Sequence, residues 1–258
     1  MTATSLRAAV SVAGVRHPQL APLALVAPLV GLQIAYPLVH GSARTRLAVL
    51  IVVAFGLVCV THLVLTRGYR TACGVLAATA GVGLVIEVVG VHTGVPFGDY
   101  RYSAALGPQL FGVPWLVGLA WTMVAWPAAA AARRLVRNPL ARVLVGAWAT
   151  AAADLFLDPQ LVALGAWRWA HRAPHLPGVD TVPLTNYVGW LVAALVVSAL
   201  VQRVMGDGPD AVPIGLYLWM WAGWAVAHAC FLDMPGSAAW GTVGMGLVAV
   251  PLAARLLR

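Results

Sequence analysis

Eight apolar segments, each long enough to form a membrane-crossing helix, constrain this sequence more than any other feature. A helix needs about 20 apolar residues to cross a hydrocarbon core about 30 Å thick. Inside lipid the backbone must satisfy its own hydrogen bonds, and unbroken apolar runs without two-residue alternation favour helices over strands. We therefore predict an all-α integral membrane protein, a polytopic bundle of about eight transmembrane helices, with seven as the alternative count. The segments are Leu20–Val39, Leu47–Thr66, Thr71–Val91, Val113–Leu135, Leu140–Leu157, Leu184–Val204, Val212–Leu232 and Ala238–Leu257.

The low charge content argues against a soluble domain. Hydrophobic residues make up 61% of the chain and charged residues 9%, whereas soluble domains carry about 25% charged residues. The formal net charge is +8, and all 16 basic residues are arginines scattered between the apolar segments. This scatter argues against nucleic acid as a partner and favours membrane lipid. We predict one transmembrane domain over residues 1–258, in a multi-pass protein of the cell membrane.

The arginine distribution also predicts an orientation, because cytoplasmic loops are enriched in Lys and Arg. With eight helices, 11 arginines fall on one side of the membrane and five on the other. We therefore expect both termini in the cytoplasm, with residues 1–19 as a cytoplasmic tail. Two non-cytoplasmic loops, 92–112 and 158–183, are expected to contribute to a functional site, since several acidic residues lie in them or next to them.

The cysteines and the missing motifs limit the chemistry. Cys59, Cys73 and Cys230 show no C-x-x-C or Cys/His spacing, so we expect neither a metal site nor a redox site. We find no nucleotide-binding Gly-rich loop, Walker motif, nucleophile elbow or H-E-x-x-H motif in the sequence. We therefore expect chemistry that uses protons and an apolar substrate, without a cofactor.

Glu87 is the only glutamate of the chain and lies near the end of the third apolar segment. A charged carboxylate at membrane depth costs about 2.5–3.5 kcal/mol on insertion scales, so such a group pairs, stays protonated or serves a function. Small residues make the third segment suited to close helix packing, which would turn Glu87 away from lipid. We interpret Glu87 as a functional acid. A structural carboxyl group bonded to a neighbouring helix is the alternative.

Asp154 and Asp158 form a second acidic feature. They are four residues apart, which places both on one face of a helix. Two carboxyl groups held together release their protons in separate steps, so one can be protonated while the other is ionised. The spacing therefore indicates an acid/base pair. For Asp158, which directly precedes Pro159, the alternative is that it only ends the helix.

The loop at 92–102 carries polar residues between Gly and Pro turns, which would hold their side chains in a fixed geometry. Asp99 is a further catalytic candidate, although a surface ion pair with Arg101 is the alternative. Trp167 and Trp169 are interpreted as membrane-interface residues. The candidates for substrate binding or water positioning in and near these loops are His92, Tyr100, Tyr102, Asn186 and Trp190.

Tyr217, Trp221, Trp224 and His228 recur at the spacing of one face of the seventh segment. Such a stripe is more often bundle packing than a ligand site. Beside an acidic pocket, however, aromatic rings would suit a long apolar substrate and would stabilise a developing carbocation. We therefore add Trp221, Trp224 and His228 to the candidates for substrate binding.

Four motifs taken together are similar to a known family. They are E-x-x-G-x-x-T-G-x-P-F-G-x-Y-x-Y with G-P-x-L-x-G-V-P over Glu87–Pro114, D-L-x-L-D-P at Asp154–Pro159, W-x-W at Trp167–Trp169 and P-x-x-N-Y-x-G-W at Pro183–Trp190. This combination resembles the membrane carotenoid biosynthesis proteins. That family includes the bisanhydrobacterioruberin hydratases of haloarchaea and the γ-carotene 1′-hydratases of bacteria.

The resemblance implies a carotenoid substrate and the addition of water across the terminal 1,2 double bond of a ψ-end, without a redox cofactor. It leaves open an association with other membrane enzymes of the carotenoid pathway. In such a hydration a general acid protonates the alkene, a tertiary carbocation forms, and a base-positioned water attacks it. From the residues, we assign proton donation to Asp154 or Glu87 and water activation to Asp158 or Asp99.

Three other functions fit some of these features. A carotenoid end-group cyclase or isomerase would use the same acid but exclude water. A proton-coupled transporter would use the intramembrane carboxyl groups as a relay, but we find no internal repeat with broken helices. A pigment-binding membrane protein would hold a carotenoid without converting it.

Overall fold

The computed structural model describes residues 17–258, so most of the predicted cytoplasmic tail lies outside the described residues. Within 17–258, eight helices of 19 residues or more follow one another. They are α1 (His17–Ala35), α2 (Gly41–Arg67), α3 (Tyr69–Thr93, with a π-helical turn at Ala77–Gly81), α4 (Leu116–Leu135), α5 (Pro139–Ala163), α6 (Leu184–Val204), α7 (Ala211–Cys230) and α8 (Pro235–Leu256).

Five of these helices, α2, α3, α5, α6 and α8, are long and apolar enough to cross a membrane. Large apolar side chains such as Val85, Leu144 and Leu247 are exposed on the outside of the helices, where lipid would contact them. The prediction of an all-α bundle in a multi-pass membrane protein is confirmed. The exact number of crossings and the cytoplasmic position of the termini stay predictions.

One end of the bundle is rich in arginine and is tied together by ion pairs. Arg67 at the end of α2 contacts Asp210 at 2.5 Å, and Arg133 near the end of α4 contacts Asp207 at 2.5 Å. Both acidic residues lie in the connection between α6 and α7. Arg255 of α8 donates to the backbone oxygen of Leu135 at 2.7 Å. These contacts involve three of the 11 arginines that the sequence predicts on one side of the membrane.

The opposite end is covered by three short antiparallel sheets. Strand β1 (Tyr100–Tyr102) pairs with β4 (Trp167–Trp169), so that Tyr100 faces Trp169 and Tyr102 faces Trp167. The other two pairs are β2 (Gln109–Leu110) with β3 (Val113–Pro114), and β5 (His175–Leu176) with β6 (Val179–Pro183). The pairing of β1 with β4 joins the two loops that the sequence assigns to one membrane face.

Helix α5 runs beyond the position at which the sequence predicts its end. The prediction places the end at Leu157, and one interpretation of Asp158 is a helix stop, but the helix continues through Pro159 to Ala163. A proline in a helix cannot donate to the backbone oxygen four residues earlier. That oxygen, on Leu155, instead accepts a hydrogen bond from Ser237 Oγ of α8 at 2.6 Å. The helix therefore survives the proline, and Asp158 stays on it, one turn after Asp154.

Candidate functional site

Glu87 lies in the last turns of α3 and is only 4% exposed. Its Oε2 accepts hydrogen bonds from the Tyr100 hydroxyl and, at 2.9 Å, from the Tyr102 hydroxyl. Its Oε1 accepts a hydrogen bond from Trp121 Nε1 at 3.2 Å. Three donors from two other elements converge on one side chain. An ionised carboxylate accepts hydrogen bonds only, so this donor set suits a negative charge.

The two tyrosines reach Glu87 because residues two apart in a strand point to the same face. Tyr100 and Tyr102 are the first and last residues of β1, and Arg101 between them points outward and is exposed. Burial, together with the nearby Glu87 carboxyl group, raises the pKa of both tyrosines well above the usual range. Both hydroxyls therefore keep their protons and remain donors to Glu87.

The second part of the site joins α5 to α6. Asn186 Nδ2 donates to Asp154 Oδ2 at 2.8 Å and also to Asp158 Oδ2. All three side chains are buried. Asp154 Oδ1 is buried and has no hydrogen-bond partner among the described residues. Because one amide nitrogen contacts both carboxyl groups, they lie close together, and a shared proton avoids two adjacent negative charges.

A glycine allows the 92–102 loop to lie on the start of α6. A Cβ atom on Gly189 would lie 2.6 Å from the backbone oxygen of Pro96, so a side chain there would push the loop away. Trp169 Nε1 donates to the backbone oxygen of Phe97 at 3.0 Å and holds the loop from the other side. These contacts bring β1, and with it the tyrosine donors, over the ends of α3 and α6.

The two acidic features meet in one cavity of about 60 Å³. Glu87, Asp158 and Asn186 line it, and Asp154 lies behind Asp158 on the same helix face. Seven aromatic side chains complete most of the wall. They are Phe97, Tyr100, Tyr102, Trp121, Trp167, Trp169 and Trp190. A cavity of about 10–15 Å³ already holds one water molecule, so this cavity has room for water.

The aromatic wall is packed against itself. The rings of Trp121 and Trp190 stack with centroids 4.3 Å apart and an interplanar angle of 15°. Tyr100 stacks on Trp169 at 5.8 Å, with an angle of 29°. Side chains held in this way keep their π faces in fixed directions. A positive charge that develops in the cavity would meet several of these electron-rich faces.

Two predicted site residues in the 92–102 loop lie outside the cavity. The His92 ring is exposed and bonds to the backbone oxygen of Val88 at 2.9 Å, within α3. The Asp99 side chain is also exposed, directly before β1. For Asp99, strand alternation explains this, because turning Tyr100 inward turns its neighbours outward. The structure therefore does not bring either side chain to the acidic cavity, and the expected roles of Asp99 in water activation and of His92 in water positioning stay predictions.

The residues of the aromatic stripe of α7 lie in different surroundings. Trp221 Nε1 donates to the backbone oxygen of Thr242 at 2.9 Å, which fastens Trp221 to α8. His228 is buried against Ser237, whose Oγ lies 2.9 Å from His228 Nδ1. Neither residue lines the acidic cavity, and their expected role in substrate binding stays a prediction. Trp224 lines a separate apolar groove.

Several residues that line the cavity are not predicted from the sequence. Trp121 is one apolar residue among many in α4, and nothing in the sequence marks it. Trp167 and Trp169 are interpreted as interface residues, but Trp169 is buried and both line the cavity. A usable signal was present, since W-x-W and Y-x-Y share the two-residue spacing of paired strands with aromatic side chains on one face.

Gly83 supplies a test of this packing. A Cβ atom there would lie 2.4 Å from Trp121 Cγ, whereas a Cβ on Gly81 would meet nothing within 4 Å. We expect Gly83→Ala to lower the free energy of unfolding by about 1–3 kcal/mol, as overpacking does. Denaturant titration in detergent, followed by tryptophan fluorescence, measures this change. Gly81→Ala in the same helix is the control. Equal stability of the two variants would contradict the packing described here.

Comparison with known proteins places the site within a described family. The model of a family described as "Carotenoid biosynthesis protein" matches residues 47–250. A bisanhydrobacterioruberin hydratase from Haloarcula japonica is 36% identical over 116 residues, which is 43% of this chain and 38% of the relative. The match thus covers well under half of the relative's length. No solved structure matches the chain.

The family match and the site coincide along the chain. Every residue that lines the acidic cavity, from Ala48 to Trp190, falls within the matched range 47–250. That range covers most of the 258 residues, including seven of the eight helices described above wholly or in large part. This chain therefore belongs to the carotenoid biosynthesis protein family.

Proposed function

We propose that this protein is a carotenoid hydratase, which adds water to the terminal ψ-end double bond of an acyclic or monocyclic carotenoid. One observation carries the proposal: a small cavity in a membrane bundle brings two carboxyl groups, Glu87 and Asp158, together with seven aromatic rings. The similarity to a relative named as a hydratase supports the same reaction class.

In this proposal the proton comes from the Asp154–Asp158 pair and the base is Glu87, which exchanges the roles that the sequence alone suggests for Asp158 and Glu87. Asp158 lines the cavity and is the group that would contact the alkene, while Asp154 lies behind it and shares Asn186. Asp158 transfers its proton to the inner, CH carbon of the terminal double bond, and the electron pair of that bond forms the new C–H bond. The neighbouring tertiary carbon becomes a carbocation. An alkene is a weak base, so the acid must work in a site that excludes bulk water.

The aromatic wall would stabilise the carbocation before water reaches it. A cation over a desolvated aromatic face gains about 2 kcal/mol or more. Trp121 and Trp190 are held by stacking on each other, and Trp121 is also held by its bond to Glu87. The rings would therefore face the cation without having to rearrange.

Glu87 is suited to the second proton transfer. The three donors that surround it favour a carboxylate, which can accept a proton from the attacking water. The water oxygen bonds to the carbocation and one water proton passes to the carboxylate. The product is a tertiary alcohol with the elements of one water added. Return of a proton to the aspartate pair completes the cycle.

Expression in a host that makes lycopene or γ-carotene tests the proposal. Pigments from hosts with and without this gene are separated and their masses are compared. The proposal predicts a new carotenoid heavier by one water, and a second product if both ends react. A product of unchanged mass would indicate a cyclase or isomerase instead, and the absence of any new pigment would contradict enzymatic conversion of these carotenoids.

A further inference from the structure

A second cavity, which we call the apolar groove, lies beside the acidic cavity. It has a volume of about 410 Å³ and is lined by residues of α1, α2, α4, α5 and α7 and by the turn after α1. Apolar side chains form most of its surface, and the polar groups in it are few. Pockets for organic ligands typically measure about 300–1,000 Å³ and have this character.

The apolar groove and the acidic cavity share a wall. Five residues line both spaces: Ala48, Val52, Met123, Leu157 and Leu161. Leu157 and Leu161 belong to the same stretch of α5 as Asp158, so the wall adjoins the carboxyl group that we assign as the acid. A molecule in the groove therefore has only these side chains between it and the acid.

The other side of the groove reaches the outer surface of the bundle. Ile34 and Leu38, near the end of α1, and Val226 and Phe231, near the end of α7, line the groove, and each is more than half exposed. In a membrane protein such an apolar opening faces lipid. A hydrophobic substrate dissolved in the bilayer could enter here without crossing water.

The acidic cavity is small for the branched end of a carotenoid. A cavity of about 150 Å³ is known to hold benzene, whereas the acidic cavity measures about 60 Å³. The branched end of a carotenoid does not fit into it as it stands. Met123 is buried in the shared wall, and methionine adapts its shape more readily than other apolar residues because it is unbranched and has three rotatable side-chain bonds.

We propose that the apolar groove binds the polyene chain next to the reacting end, and that Met123 is the gate through which this end enters the acidic cavity. The inference rests on the proposed function for the identity of the ligand. The occupant is a linear, largely apolar molecule, since the groove has an apolar lining and an opening toward lipid.

A leucine placed inside the groove tests the binding step. Gly223 of α7 lines the groove, and a Cβ there would meet only ordinary contacts at 3.7–4.0 Å. Gly215 of the same helix has nothing within 4 Å of its Cβ position and does not line the groove, so Gly215→Leu is the control. Each protein is purified from a lycopene-producing host, and bound lycopene together with any hydrated product is extracted and quantified against protein absorbance.

We expect Gly223→Leu to reduce the amount of carotenoid bound per protein by about tenfold, which corresponds to about 1.4 kcal/mol. Gly215→Leu should leave this amount unchanged. Ala222→Leu, at an exposed residue that also lines the groove, gives a second test if Gly223→Leu is poorly folded. Wild-type levels of bound carotenoid in folded Gly223→Leu and Ala222→Leu would overturn the proposal. Because binding is measured directly, this test stands even if wild type forms no hydrated product.

The gate is tested with Met123→Ile, which keeps a similar size but stiffens the side chain. We expect bound carotenoid to remain and the hydrated fraction to fall by about fivefold or more. Met245→Ile on α8 is the control, because Met245 is equally buried and lines neither cavity. A hydrated fraction in Met123→Ile equal to that of Met245→Ile would rule out the gate.

Discussion

Replacing Asp158 with Asn is expected to reduce the hydrated carotenoid by at least about 100-fold, the usual contribution of a positioned general acid. The substitution keeps the size of the side chain but removes the proton that the alkene needs. Asp158 is the member of the aspartate pair that lines the cavity, whereas Asp154 does not. Product is measured by mass-resolved pigment analysis at equal protein levels.

Asp180→Asn is the matched control, since Asp180 is an exposed aspartate of β6. It is expected to retain wild-type conversion. Asp154→Asn should lower conversion less than Asp158→Asn, because Asp154 acts on the substrate only through its neighbour. Full activity in Asp158→Asn would remove this residue from the mechanism. An equal loss in Asp180→Asn would show that the effect is not specific to the pair.

Replacing Glu87 with Gln is expected to give the second large loss, again of about 100-fold in product. The amide cannot accept a proton from water. It also places an NH₂ group among three donors, Tyr100, Tyr102 and Trp121, so at least one of these donors loses its partner. A buried donor without a partner costs about 1–3 kcal/mol, so unfolding in denaturant should also occur earlier.

These two effects can be separated. The double variant Glu87→Gln with Tyr102→Phe removes one of the surplus donors and should recover part of the stability of Glu87→Gln. It should not recover hydration, because the proton acceptor is still missing. Recovery of activity together with stability would mean that Glu87 has only a structural role. Asp99→Asn is the control, because Asp99 is exposed and outside the cavity.

Much of the fold follows from local sequence patterns. The apolar segments correspond to eight helices within residues 17–258, and the Gly and Pro residues between them mark the connections. Glu87, Asp154 and Asp158 stand out because a carboxyl group is costly in an apolar helix, whatever the rest of the chain does. Trp121 does not stand out in this way, because an aromatic residue in an apolar helix has no burial cost. Its place in the site depends on the side chains that surround it in the folded chain.

Some features are not predictable from the local sequence, because they depend on contacts between distant segments. Pro159 is a helix-breaking residue by its own chemistry, yet α5 passes through it, because Ser237 of another helix bonds the backbone oxygen that the proline leaves free. Asp99 and Tyr100 are adjacent in sequence, and the pairing of β1 with β4 decides which of them turns inward. The stripe residues lie on one face of α7, as their spacing predicts. Two of them, Tyr217 and Trp221, donate to backbone oxygens of α8, a contact that the spacing does not predict.

The apolar segments and the few carboxyl groups within them were enough to indicate a helical membrane protein with acid/base chemistry at one end. The free-energy cost of burying a charged group in an apolar helix depends on that residue and its local sequence, so it can be recognised without the fold. The arrangement of that chemistry depends on the folded chain. Only there does one asparagine join Asp154 to Asp158, three donors surround Glu87, and five side chains separate the acidic cavity from the apolar groove. The physical reason is that a hydrogen bond needs both a donor and an acceptor, and a cavity needs walls on several sides. Here these partners come from segments far apart in the sequence.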